Sequence, residues 1–191
     1  MKKIILGCLL LLFAVPFALQ AEERTLVGGK PEYGWYVAPV IKLTRINDEF
    51  SVITGVRSGA IFSHFLAAGI GIYGNIKLEN NDSLVFIDYG GFDFEFIFLS
   101  NSLIHGTANI LFGPGIIIKI VDLEDVDEED LSGDIFFTME PGLNLEVNIT
   151  PWFRIAAGVS YRYNIGFQMA GYGEDAFSGF SGNIMFKFGN F

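Results

Sequence analysis

The chain has 191 residues, enough for one domain, and its 22 acidic side chains outnumber 12 basic ones, for a formal charge of −10. That balance argues against nucleic acid as a partner. Yet the mean hydropathy is positive at +0.42 and phenylalanine occurs 20 times, so a chain this acidic and this apolar calls for a lipid-facing surface.

The N-terminus has the composition of an export signal. Met1-Lys2-Lys3 is a basic start, Ile4 to Leu19 is an apolar run containing Pro16, and Leu19-Gln20-Ala21 precedes Glu22-Glu23. Cleavage is expected after Ala21, leaving a signal peptide of residues 1–21 and one mature domain of residues 22–191. Cys8 is the sole cysteine and falls in the signal, so the mature chain is expected to hold no disulfide, thiol nucleophile or thiolate metal site. Without Lys2 and Lys3 the balance becomes 10 basic against 22 acidic. The mature chain contains no run of about 18 apolar residues, so no spanning helix is expected.

Beyond a short polar lead-in, the mature chain alternates with a period of two. Gly34 to Thr44 sets Trp35, Val37, Pro39, Ile41 and Leu43 on one face, and Arg45 to Glu49 turns the chain. A second strand, Phe50 to Phe62, carries Gly55, Arg57 and Gly59 on its other face. Ser63-His64 is a tight turn into a third strand, Phe65 to Leu78, and Glu79 to Asp88 reads as a polar loop. Tyr89 to Phe98 sets four phenylalanines against Gly91, Asp93 and Glu95; Leu99 to Leu103 turns; a fifth strand runs Ile104 to Ile120. Val121 to Asp134 is an acidic loop. Thr138 to Ile149 and Phe153 to Tyr163 alternate on either side of Thr150-Pro151-Trp152 and form the clearest hairpin. Asn164 to Ser178 is a loop, and Gly179 to Phe188 is the eighth strand. Ten residues is the length a tilted strand needs to cross a bilayer. An all-β, eight-stranded antiparallel transmembrane barrel in up-and-down order is therefore expected, with three short turns at the end that carries both termini.

A soluble eight-stranded barrel with its apolar face inward is the rival. An eight-stranded interior is only just filled by side chains, and some ten phenylalanines with their isoleucines exceed that space. The polar face instead holds glycines, including Gly55, Gly69, Gly113 and Gly158, which leave room for long charged stems. The polar face is expected inside.

These stretches resemble a known group. Gly55 to His64, Tyr89 to Phe98, Glu140 to Asn148, Trp152-Phe153-Arg154 with Gly158 to Tyr163, and the tail Phe186 to Phe191 are similar to the small eight-stranded bacterial outer-membrane barrels of OmpA/OmpX type. The likeness is closest to a group described only as outer-membrane β-barrel proteins. It implies an outer-membrane location with both termini periplasmic, and contact with outer-membrane lipid and lipopolysaccharide. It also implies delivery by the outer-membrane assembly machinery through the C-terminal strand ending at Phe191. It implies no shared chemistry. One departure is that Phe191 falls out of phase with Phe188, Phe186 and Ile184; a bulge near Gly189 is the way to restore phase.

The inward charges are Lys42, Arg57, Asp93, Glu95, Glu140, Glu146, Arg154, Arg162 and Lys187. Five bases and four acids in a confined space are expected to pair, because unpaired buried charge is costly. Hairpin counting puts Glu146 nearest Arg154 and Glu140 nearest Arg162. A lumen plugged by this structural network is the first reading; a narrow ion or small-ligand conduit is the second. An outer-membrane enzyme is the third and is not favoured: His64 and His105 fall at turns on the terminal side, away from any rim triad. Gly69 to Gly74 matches GxGxxG but opens no helix, so no dinucleotide cofactor is expected. The acidic residues Asp122, Glu124, Asp125, Asp127, Glu128, Glu129 and Asp130, continuing to Asp134, lack EF-hand spacing. They read as a solvated extracellular loop, with weak divalent-cation binding as the alternative. The expected object is a monomeric structural or surface-interaction barrel without catalytic, metal or cofactor residues.

Overall fold

A computed structural model of the chain describes residues 33–47, 49–79, 83–121, 131–168, 173 and 175–191. The expected signal segment and the acidic run Asp122 to Asp130 lie outside these residues. Eight strands come in chain order: β1 (Tyr33–Ile46), β2 (Glu49–Phe62), β3 (Leu66–Glu79), β4 (Ser83–Phe98), β5 (Ile104–Val121), β6 (Leu131–Thr150), β7 (Phe153–Ile165) and β8 (Gly179–Asn190). Each pairs antiparallel with the next, and β8 pairs with β1, so the sheet closes into a barrel. Closure leaves no free edge, which is the condition for crossing lipid with strands.

The register fixes the tilt. Register partners traced once round run from Gly34 through Ile61, Ala67, Glu95, Asn109, Gly142, Ser160 and Ser181, and return to β1 at Thr44. A stagger of that size over eight strands goes with a tilt of roughly 40°. Besides an irregularity between Asn148 and Thr150, the ladder skips residues at three places, and each contains a proline. β1–β8 pairing omits Pro39, β4–β5 omits Pro114 and β6–β7 omits Pro141. Proline has no N–H to donate, so each ring leaves a gap on one side of its strand.

The apolar rows face outward as expected: Trp35, Phe92, Phe96, Leu143 and Val159 are each more than half exposed. The strands run longer than the alternation suggested on the side away from the termini. β4 begins at Ser83, inside the expected loop, and β6 begins at Leu131, so Asp134 belongs to a strand. There the inward face is apolar too: Val85, Ile87, Ile117 and Phe136 are buried together. In β4 the run Leu84-Val85-Phe86-Ile87 is apolar throughout, which erases the period-two signal, while β6 opens on Ser132-Gly133-Asp134, whose composition is that of a turn, so both segments read as loop from sequence.

The turn at the terminal end between β2 and β3 has Ser63 and His64 at φ 49° and 60°, with Phe65 N–H donating to the Phe62 carbonyl at 3.2 Å. Two successive positive φ values give the primed turn whose twist suits a hairpin. Leu99 also has a positive φ, 56°, and is 78% exposed. Leucine in that conformation costs about 1 kcal/mol more than asparagine, so Leu99→Asn should raise the unfolding free energy by about that amount, seen as a higher denaturant midpoint at unchanged slope. Closure makes a second prediction: the folded chain should migrate differently on a gel before and after boiling in detergent. Identical migration would contradict a closed barrel.

Candidate functional site

All nine expected lumen charges are buried, each no more than 8% exposed. Alternation carries them inward from six strands: Lys42 (β1), Arg57 (β2), Asp93 and Glu95 (β4), Glu140 and Glu146 (β6), Arg154 and Arg162 (β7), and Lys187 (β8). They form two clusters and one separate cation.

The first cluster is a connected chain. Arg57 donates through Nε to Asp93 Oδ2 at 2.9 Å and through its terminal nitrogens to Asp93, to Glu95 Oε2 at 3.0 Å and to Met185 Sδ at 3.2 Å. Lys187 then bridges Glu95 Oε1, at 2.6 Å, and Glu146 Oε1. The other Glu146 oxygen meets His105 Nε2 at 3.2 Å and the Arg154 guanidinium at 3.7 Å. Asn109 adds a donor to Asp93 at 3.1 Å.

The second cluster is centred on Glu140. Lys42 Nζ donates to both of its oxygens, at 2.9 and 2.8 Å. Tyr89 Oη and Ser160 Oγ donate to it at 2.9 and 2.6 Å. The Lys42 ammonium also lies 3.3 Å from the centroid of the Tyr73 ring, a cation–π contact.

Two expectations from sequence are corrected by this geometry. Glu146 and Arg154 are indeed within ion-pair range, but Glu140 pairs with Lys42 across the lumen and not with Arg162. Arg162 instead donates from Nε to the Phe177 carbonyl at 2.6 Å, and its terminal nitrogens meet no hydrogen-bond partner among the described residues. His105 is also not at a turn. It sits inside β5, 3% exposed, as a member of the first cluster. The signal was present in its spacing, since His105, Thr107 and Asn109 share one alternating row.

Apolar residues close the charged layer at both ends. At the end with the termini, Tyr36, Ala38, Ile61, Ala67 and Ile97 are buried together, and Phe191 packs on them. The Arg154 guanidinium stacks over the Phe191 ring at 3.8 Å. The expected bulge near Gly189 does not occur: β1–β8 pairing runs in constant register through Tyr36↔Gly189 and Trp35↔Asn190. Phe191 therefore stays in phase with the inward residues and forms part of the lumen floor.

At the other end the described residues of the β7–β8 connection include two buried rings. Phe177 and Phe167 are buried edge-to-face, 4.6 Å between centroids, and Phe167 meets Phe136 at 6.1 Å. Asn47 N–H donates to the Ala176 carbonyl at 2.8 Å, Asn164 N–H to Ser178 Oγ at 3.1 Å, and Gln168 N–H to Asp134 Oδ2 at 2.5 Å. From sequence Asn164 to Ser178 was expected to be a glycine-containing loop, with no burial assigned to it. Two phenylalanines within it were the available sign of burial.

Glycines on the inward face allow close approach: a Cβ at Gly59, Gly69, Gly91 or Gly113 would meet the backbone of the neighbouring strand, and two others make room for rings. A Cβ at Gly55 would collide with the Tyr73 ring, and one at Gly115 with the Phe136 ring. In the middle of the lumen, an internal void between Lys42, Arg57, Tyr73 and Glu140 measures about 10 Å³, about the room of one water. No group of three or more metal-ligating side chains occurs among the described residues.

The chain superimposes on the N-terminal β-barrel domain of Pseudomonas aeruginosa OprF with a TM-score of 0.59 and 9% identity, covering 84% of this chain and 99% of that one. The fold is that of the small outer-membrane barrels. Ail, the attachment invasion locus protein of Yersinia pestis, solved in complex with the heparin analogue sucrose octasulfate, gives 0.54 and 11% over 84% of this chain and 98% of that one. Neisserial surface protein A matches more loosely, at 0.49 and 15% over 85% and 99%. No family model matches the sequence, and no curated protein matches it. At these identities the outer-membrane barrel likeness is one of architecture.

Proposed function

We propose that the chain is a structural or surface-interaction barrel of the bacterial outer membrane, with both termini periplasmic and the longer connections outside. Its lumen is a plug and not a path. The observation that carries this reading is the three-tier interior: a charged layer in which every carboxylate is ion-paired, between the Phe191 floor and the Phe167–Phe177 roof. Charges held this way serve the barrel's stability, since a buried acid or base without its partner is strongly destabilising.

The lipid-facing wall accounts for contact with outer-membrane lipid and lipopolysaccharide. The acidic run Asp122 to Asp130, outside the described residues, is proposed as an exposed extracellular loop with weak affinity for divalent cations. The chain is proposed to act as a monomer and to have no enzymatic activity: His105 is enclosed with Glu146 and Arg154, and no serine or cysteine nucleophile joins them among the described residues. The inward set of Phe191 leaves Phe188 and Phe186 as the outward aromatic residues that the assembly machinery would read.

Planar-bilayer recording tests the plug. The reconstituted protein should add no resolvable ion conductance. Steady unitary currents from the intact chain would replace this reading with the narrow conduit.

A further inference from the structure

Charge is kept off the lipid-facing wall. Among the described residues, Arg45 and Asp88 are the charged side chains on the outward rows of the strands, so Arg45 is the one cation on those rows. It is exposed near the end of β1 away from the termini, ten residues from Trp35 on the same outward row. Ten residues is the strand length that crosses a bilayer. With Trp35 at the periplasmic interface, Arg45 stands at the headgroup level of the external leaflet. Its neighbours suit that level. Phe50 is its register partner on β2, and on β8 Phe180 is 75% exposed and packs edge-to-face on Tyr161 at 4.8 Å. Exposed aromatic rings of this kind form the girdle of a membrane barrel. Among the described residues no carboxylate pairs with Arg45.

Beside Arg45 a recess of about 610 Å³ opens between the end of β1 and the start of β8, within the range of small-molecule sites. Asn47, Asp175, Ser178 and Phe180 line it together with Arg45. Backbone bonds hold its wall: Asn47 N–H donates to the Ala176 carbonyl at 2.8 Å, and Ser178 N–H to the Asp175 carbonyl at 3.0 Å. Ser178 Oγ accepts from the Asn164 N–H at 3.1 Å and keeps its own proton to donate. The lining thus offers a guanidinium, an amide, a hydroxyl and a carboxylate beside an apolar ring. A bare phosphate would use the guanidinium and meet the Asp175 carboxylate as a like charge. A phosphorylated sugar uses the whole set, with its phosphate on Arg45 and its hydroxyls on Asn47, Ser178 and Asp175. Acyl chains attached to that sugar would descend past Phe180 along the apolar wall.

We infer that this recess holds the phosphorylated sugar headgroup of one lipopolysaccharide molecule, with Arg45 bidentate on a phosphate. The inference deepens the proposed contact with lipopolysaccharide and rests on the membrane placement given with it.

The test is native mass spectrometry of the detergent-solubilised chain after incubation with equal amounts of two lipids. One is lipid A, the acylated sugar phosphate of lipopolysaccharide; the other is the same lipid stripped of phosphate. The retained ratio should favour the phosphorylated form by about fivefold, the size expected of one interfacial ion pair. Arg45→Gln should bring the ratio near one. Arg45→Lys should leave an intermediate preference, because the ammonium keeps the charge and loses the planar fork. Phe180→Ala should lower retention of both lipids at an unchanged ratio. The shift between unboiled and boiled gel samples certifies the barrel in each variant. Equal retention by the parent chain, or a preference that survives Arg45→Gln, overturns the site. Displacement of the lipid by millimolar inorganic phosphate overturns it as well, in favour of a free anion. Asp175→Cys tests the placement separately, since the new thiol should react with a membrane-impermeant maleimide on intact cells. Reaction only after the outer membrane is permeabilised would overturn the external placement, whereas the lipid ratio is read in detergent, so the two readings fail separately.

Discussion

Glu146→Ala should lower the unfolding free energy by about 3–5 kcal/mol, the cost of leaving buried charge without its partner. Glu146 is fully buried and serves three groups: Lys187, His105 at 3.2 Å and Arg154 at 3.7 Å. The substitution leaves the Lys187 ammonium with Glu95 alone. The informative comparison is between two second-site changes. Lys187→Met in the Glu146→Ala background should recover a substantial part of the loss, because it removes the stranded cation. Arg154→Ala should recover less, since that guanidinium makes the longer ion pair and has the Phe191 ring beneath it at 3.8 Å. Double-mutant cycles by urea unfolding in detergent would measure both couplings. A Glu146→Ala barrel as stable as the parent, yet newly conducting, would mean that the network gates a path and does not hold the wall.

Val159→Arg should have an effect of comparable size with the opposite logic. Val159 is outward on β7, 58% exposed, between the girdle residues Phe153 and Tyr163 on the same row. Arginine near the bilayer midplane costs about 2–4 kcal/mol on the lipid face of a barrel. Insertion into vesicles should fall accordingly, while solubility of the unfolded chain in urea stays unchanged. Arg162 shows why the face decides: arginine is tolerated on the same strand when it points inward. Vesicle insertion of Val159→Arg equal to the parent's would place this face away from lipid.

Much of this fold is legible in the residues because a period of two is a local property. Trp35 to Leu43 and Phe92 to Phe98 needed no knowledge of their neighbours to declare an outward row. The same alternation put all nine charges inside before any pairing was known. It failed where both faces are apolar, at Val85, Ile87 and Phe136, since nothing then distinguishes the rows. For His105 the alternation did not fail: the fifth strand was expected from Ile104, and the error was to group its second residue with the neighbouring turn instead of with the inward row.

The sequence by itself determined the strand count, the up-and-down order and the sign of each face, all of which rest on side chains alternating along single strands. Only the tertiary structure decided who meets whom inside. Hairpin counting sees partners on adjacent strands, so it placed Glu140 beside Arg162. The lumen is narrow enough for long side chains to reach across it, and a stagger of ten residues around the barrel sets the heights at which they arrive. That stagger is a property of the closed sheet and of no single hairpin. It brings Lys42 of β1 to Glu140 of β6, Lys187 of β8 to Glu95 of β4, and leaves Arg162 to hold the Phe177 carbonyl under the roof.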